Sequence, residues 1–197
     1  MTQSMTDSGW SGHLRGAGRD AGDPSRALDL EGLATRSVDA LGALYARGAA
    51  PESVDALEGN PRGRMLAVRA LDAGRAARAL AGIARATWFP WGGKSFSGTG
   101  RAGRGINRVH LGGRHALFPF LTAVKPSVVD GAPCIALDYD LPDNPGFIRA
   151  IHDEVREVAP GLYLGPAMWK SADGHAFVLW FALDTRAQAE PLGTKRT

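Results

Sequence analysis

The sequence predicts an α+β fold, with N-terminal helices packed on a C-terminal antiparallel β-barrel or half-barrel that carries one inserted helix. Three observations predict it. Apolar residues recur at spacings near 3.6 before about residue 87, the period of an amphipathic helix. From Trp88 onward, short runs rich in aromatic and β-branched residues are separated by Gly, Pro, Asp and Asn, the mark of strands joined by turns. One of those runs is apolar on both faces: Phe177, Leu179, Phe181 and Leu183 alternate with Val178 and Trp180. A strand of that kind is covered twice, by a barrel interior on one side and by the helices on the other.

Each segment follows from local chemistry. Residues 1–27 are rich in Gly, Ser and Asp with almost no apolar period, and are expected to be a disordered tail. Residues 28–87 form a helical segment. Leu28, Leu30, Leu33, Val38, Leu41, Leu44 and Tyr45 share a helical stripe that Gly48 ends, and "PESVDALEG" opens with Pro at a first-turn position. "GNPRGR" reads as a turn-rich loop, and "MLAVRALDAGRAARALAGIARA" as an Ala-rich helix interrupted at Gly74. The barrel is placed at 88–184, with strands in "GKSFSG", "INRVHLG", "HALFPFLTAV", "APCIALDYD", "GLYLGPAMWK" and "HAFVLWFALD". "PGFIRAIHDEVREV" sets Phe147, Ile148, Ile151, Val155 and Val158 on one stripe and is the inserted helix. Residues 185–197 are a flexible tail.

With 44% hydrophobic and 22% charged residues, the 197-residue chain sits among ordinary globular proteins. Its net charge of +3 comes from 19 Arg and 4 Lys spread along the chain. The one basic cluster, Arg101, Arg104, Arg108 and Arg114, lies among glycines, and nucleic acid is not the expected partner. The single Cys134 sits in an apolar strand and reads as a buried reduced thiol. The five His residues lack metal-ligand spacing, so no metal is expected. The longest apolar run, "AFVLWFAL", is too short for a membrane span, and the start of the chain does not resemble a signal peptide. A cytoplasmic protein is expected. Nothing in the sequence speaks to oligomeric state.

"FPWGGKSFSGTGRAGRG" contains two fragments of phosphate-binding signatures. Gly93-Lys94-Ser95 is the tail of a P-loop, yet the first glycine that motif requires is Trp88, and Ser95 to Gly98 alternate like a strand. Gly98, Gly100 and Gly103 spell G-x-G-x-x-G, but they lead into another strand and not into a helix. The stretch is therefore a first strand and its hairpin turn, and neither nucleotide nor other cofactor is expected.

The neighbouring Trp91-Gly92-Gly93-Lys94, followed by Phe96, resembles the W-x-G-K entry strand of lipocalin-like proteins. Together with "LDYDLPDNPGFIRAIHDEVREVAPGLYLGPAM", it is similar to the bacterial GXWXG-type domain and the uncharacterised domain that follows it, over roughly residues 75–184. Phe89 stands where that motif has its first glycine. The resemblance implies a lipocalin-like barrel and no particular activity.

Strand 133–140 sends Ile135, Leu137 and Tyr139 to one face and Cys134, Ala136, Asp138 and Asp140 to the other. If the two carboxylates line a cavity, their repulsion and desolvation raise one pKa into the range of acid–base work. Otherwise Asp140 caps a turn and Asp138 pairs with an Arg such as Arg149. His152, on a flank of the inserted helix, is a candidate proton carrier at the barrel mouth, or simply half-buried. Lys94 either meets an anionic ligand group or pairs with one of the Asp residues. Phe96, Phe118, Phe120, Met168 and Trp180 supply apolar surface, and a barrel of this size has room for one small ligand. Two functions follow. One is the binding of a small hydrophobic molecule (a lipid, isoprenoid or polyketide-like compound) by Trp91, Lys94, Phe96, Phe118, Phe120, Asp140, Arg149, Met168 and Trp180. The other is an isomerase, cyclase or dehydratase that uses Asp138 and His152 as acid and base.

Overall fold

A computed structural model describes residues 28–68, 91–110 and 112–189 of the chain. The tail expected at 1–27 lies outside those residues, as does most of the second helical stretch, 69–87. Eight antiparallel strands close a barrel in sequence order, with the last strand returning to the first. They are β1 (Pro61–Val68), β2 (Trp91–Thr99), β3 (Ala102–His110), β4 (Arg114–Pro126), β5 (Pro133–Asp138), β6 (Ile151–Ala159), β7 (Leu162–Ser171) and β8 (Gly174–Gln188). Neighbours in sequence are neighbours in the sheet, which is the up-and-down arrangement that leaves no sheet edge open.

Two helices precede the barrel: α1 (Leu30–Ala34), capped by the Asp29 carboxylate on the Gly32 N–H, and α2 (Val38–Arg47), capped by Ser37 on the Ala40 N–H. "PESVDALEG" supplies a single 3₁₀ turn, Val54–Leu57. Leu30, Leu33, Leu41 and Tyr45 pack with Leu162, Leu164, Trp180 and Ala182 on the outer face of β7 and β8. The inner core gathers Phe96, Phe120, Ile135, Leu137, Val155, Tyr163, Leu179, Phe181 and Leu183, joined by Val54 and Leu57 from the 3₁₀ turn and Ile148 from a short helix, α3 (Gly146–Arg149). The doubly apolar strand β8 is thus covered on both faces, as its pattern required. No helix among the described residues is long and apolar enough to cross a membrane.

Three boundaries differ from the sequence reading. The barrel begins at Pro61, because "PRGRMLAV" is β1 and not a loop running into a helix. Gly63 explains the misleading composition: a Cβ there would lie 2.5 Å from the Gly93 Cα and 2.6 Å from the Trp91 ring, so the glycine marks close strand approach and not a turn. The barrel also ends later, since β8 runs to Gln188. Finally, only Gly146–Arg149 of the inserted helix is helical. "IHDEVREVA" is β6, paired with both β5 and β7. Its apolar residues satisfy a helical stripe and a strand alternation about equally, and closing the barrel decides between them.

The glycine-rich stretch is β2, a two-residue turn at Gly100 and Arg101, and β3. Gly98 and Gly103 face each other so closely that a Cβ on either would fall within 3 Å of the other's Cα, and Gly105 makes room for the Phe120 ring. Those glycines are explained by packing within the sheet.

Candidate functional site

Trp91 and Lys94 are three residues apart, and in a regular strand they would face opposite sides. Gly93 reverses this. Its φ of +122° puts it in a region that favours glycine, and the β2–β3 ladder slips between Trp91 and Gly93. A Cβ at Gly93 would also lie 2.5 Å from the Pro61 carbonyl oxygen and 2.7 Å from the Gly63 nitrogen. The bulge turns both the indole and the amine into the barrel, where they line a cavity of about 110 Å³. A second bulge shapes the adjoining wall. The β3–β4 ladder slips between Ile106 and Asn107, and Phe118 there takes a φ of +58°, strained for an aromatic residue. Phe118 lines the cavity, with Met65, Ile148, Leu179 and Phe181 among the other apolar walls.

Four polar side chains interrupt this apolar lining: Lys94, Asn107, Tyr139 and Asp153. All are buried. The Lys94 ammonium uses its three donors on Asn107 Oδ1 (2.9 Å), Tyr139 Oη (2.5 Å) and Asp153 Oδ2 (3.0 Å). Tyr139 Oη donates to the same Asp153 oxygen at 3.0 Å and accepts from Asn107 Nδ2 at 3.2 Å. Trp91 Nε1 donates to Asn107 Oδ1 at 3.0 Å, and Asn107 Nδ2 also donates to the Phe118 carbonyl. The rings of Trp91, Phe120, Tyr139 and Phe181 surround the ammonium with centroids 5.1–5.3 Å from Nζ, within cation–π range.

The network leaves one group over. Asp153 Oδ1 is buried and makes no hydrogen bond. Burial pulls the Lys94 pKa below its ordinary value despite the nearby Asp153 carboxylate. Burial and the Asp153 charge push the Tyr139 phenol well above its own. The result is a desolvated amine, a firmly protonated phenol and a carboxylate with a spare oxygen, all within 3.0 Å of one another.

Of the residues singled out in the sequence, Trp91, Lys94 and Phe118 line the cavity. Phe96 and Phe120 pack on each other in the inner core, 5.4 Å between ring centroids. Asp138 and Asp140 lie on the outer face, half-exposed, where Asp138 pairs with Lys170 at 3.0 Å and Asp140 with Arg149 at 2.7 Å. Burial opposes ionisation of Asp138, but hydrogen bonds from Lys170 and the Asp140 N–H outweigh it and its pKa falls. The rise that acid–base work required does not occur at Asp138. Met168 stands opposite His152 on β7, and Trp180 donates its N–H to the Val38 carbonyl beneath α2. His152 itself is buried outside the barrel wall, 3.0 Å from Glu154. Cys134 is buried, and its thiol is pushed up to about 12 by that burial.

Sequence reasoning missed Tyr139, Asp153 and Asn107 as site residues, placing Tyr139 only on the face of 133–140 opposite the two carboxylates. The clue to Asp153 was the alternation Ile151, Asp153, Val155 at the start of "IHDEVREVA": a carboxylate between two apolar residues on one strand face, hidden by reading the segment as a helix. Asn107 carried no clue beyond its place in "INRVHLG".

No family model matches the chain, and no curated protein matches it. A crystal structure of a protein from Thermomonospora curvata is 21% identical, covering 76% of this chain and 87% of its own, with a TM-score of 0.45.

Proposed function

We propose that the barrel binds a small, largely apolar molecule that presents one hydrogen-bond donor to Asp153. The observation that carries this reading is the unpartnered Asp153 Oδ1 in the wall of an apolar cavity. A buried carboxylate oxygen without a partner is unfavourable by roughly 1–3 kcal/mol or more, and a ligand hydroxyl would recover that energy. The size of the cavity argues for a ligand of about one ring or a short branched chain, because cavities near 150 Å³ hold benzene. A full-length lipid or polyketide would reach the site only with one end. Acid–base catalysis on a bound molecule remains the second reading. It shifts from Asp138 and His152 to Lys94, Tyr139 and Asp153, the titratable groups that line the cavity.

Phenol and toluene have nearly the same shape and differ in one donor. Calorimetric titration should show saturable phenol binding, at least about tenfold tighter than toluene, since a hydrogen bond to a charged acceptor contributes about 1.5–3 kcal/mol. Equal affinities, or no binding of either, would overturn the proposal.

A further inference from the structure

The buried ion pair is a poor device for stability. Replacing such a pair with apolar side chains of similar volume is often neutral or stabilising. Its chemistry is more distinctive. Lys94 lies at the cavity surface, its Nζ is 3.0 Å from a carboxylate and 2.5 Å from a phenol, and aromatic rings surround it. A buried amine in apolar surroundings with a proton acceptor in contact is the arrangement that makes lysine a nucleophile.

We infer that Lys94 forms an imine with a small aldehyde or ketone bound in the cavity. The inference rests on the binding proposal for its ligand site. In the resting pair, the ammonium passes one proton to Asp153 Oδ2, leaving a neutral amine and a carboxylic acid. The nitrogen lone pair attacks the carbonyl carbon. The C–N bond forms, and the C–O π pair moves onto oxygen. A proton passing from nitrogen to that oxygen gives a carbinolamine. Its new hydroxyl is the donor that Asp153 Oδ1 lacks, so the site is complementary to this intermediate more than to the free carbonyl. The Asp153 proton then moves to the hydroxyl, the C–O bond breaks, water leaves, and the nitrogen lone pair closes the C=N bond. Of the three ammonium protons, one stays on the iminium nitrogen and two depart in water. The iminium ends beside an ionised Asp153, so the net charge of the pair is unchanged. Burial of Lys94 favours the neutral amine that the first step needs.

The two other lysines among the described residues are internal controls. Lys125 is exposed, and Lys170 pairs with Asp138 on the outer face. The test uses the wild-type chain, benzaldehyde and sodium cyanoborohydride at neutral pH, with peptide mapping by mass spectrometry. Lys94 should be labelled at least about tenfold faster than Lys125 or Lys170, in keeping with its contact with a proton acceptor and its bound electrophile. Labelling of Lys94 no faster than those two overturns the inference. The binding proposal is judged separately by phenol calorimetry: saturable phenol binding with an unlabelled Lys94 would sink the imine alone.

Discussion

Asp153 and Glu154 are consecutive residues of β6, and both are buried, but they face opposite sides of the barrel wall and are treated differently. Outside the wall, Glu154 Oε1 accepts from the Val128 N–H at 2.7 Å and approaches His152 Nε2 at 3.0 Å. Its Oε2 accepts from Tyr45 Oη at 2.9 Å and from Ser127 Oγ at 2.5 Å. Burial alone would raise its pKa, yet these partners bring it down to about 2. The cluster joins α2, the segment after β4 and β6, and the rings of His152 and His175 lie 4.9 Å apart beside it. Inside the wall, Asp153 has partners on one oxygen only. A fully partnered buried carboxylate holds elements together, whereas a half-partnered one in a cavity is ready for a ligand.

Glu154→Ala should have the largest effect. It strips partners from Tyr45, Ser127 and Val128 and leaves them under α2. A loss of roughly 3–5 kcal/mol is expected, or on the order of 10 °C in melting temperature. Phenol affinity, measured on the folded protein below its melting point, should not change. A melting temperature within two degrees or so of wild type would remove the contrast between the two faces.

Acid should reveal the same group. The folded pKa of Glu154 lies below the unfolded value, so its contribution is complete above about pH 4.5 and is lost as pH falls toward about 2. A shift of that size corresponds to roughly 3 kcal/mol. Denaturant melts of wild type and Glu154→Gln should therefore differ most near neutrality and converge across that window. Curves that stay parallel would show that Glu154 does not drive the pH dependence.

Gly93→Ala comes next. A methyl group there meets the backbone of β1 and demands a positive φ, which together disfavour the variant by about 1–3 kcal/mol or more. Because the same bulge aims Trp91 and Lys94 inward, phenol binding should weaken along with stability. Unchanged calorimetry would mean that the bulge does not position the site.

How much of this was legible in the sequence depends on how local the cause was. The alternation of 133–140 put Ile135, Leu137 and Tyr139 on one face from the sequence alone but did not say which face is the inner one, and the doubly apolar β8 announced a barrel covered by helices. β6 was not legible, because Ile151, Val155 and Val158 fit a helix as well as a strand, and pairing with β5 and β7 settles the matter. With β6 read as a helix, the strand alternation that turns Asp153 inward was hidden and the site lost its carboxylate. β1 was hidden for a related reason: Gly63 serves a crossing with β2, a partner distant in sequence. Asp138 and Asp140, the two acidic residues singled out in the sequence, both lie on the outside, and Asp140 falls two residues beyond the end of β5.

Asp138→Asn and Asp140→Asn should accordingly have small effects. Exposed pairs such as these contribute about 1 kcal/mol or less. Melts and phenol titrations close to wild type are expected for both, and a loss of phenol binding in either would move the site outward.

The central claim is that the inner pair is kept for what it binds and the outer cluster for what it holds. The direct test is the thermal melt of Lys94→Met/Asp153→Leu without ligand. Tyr139 and Asn107 would still hydrogen-bond each other, and Trp91 would still donate to Asn107. A melting temperature equal to or above wild type, with phenol binding abolished, is the predicted result. A fall as large as that of Glu154→Ala would contradict the account, because the inner pair would then be as structural as the outer one.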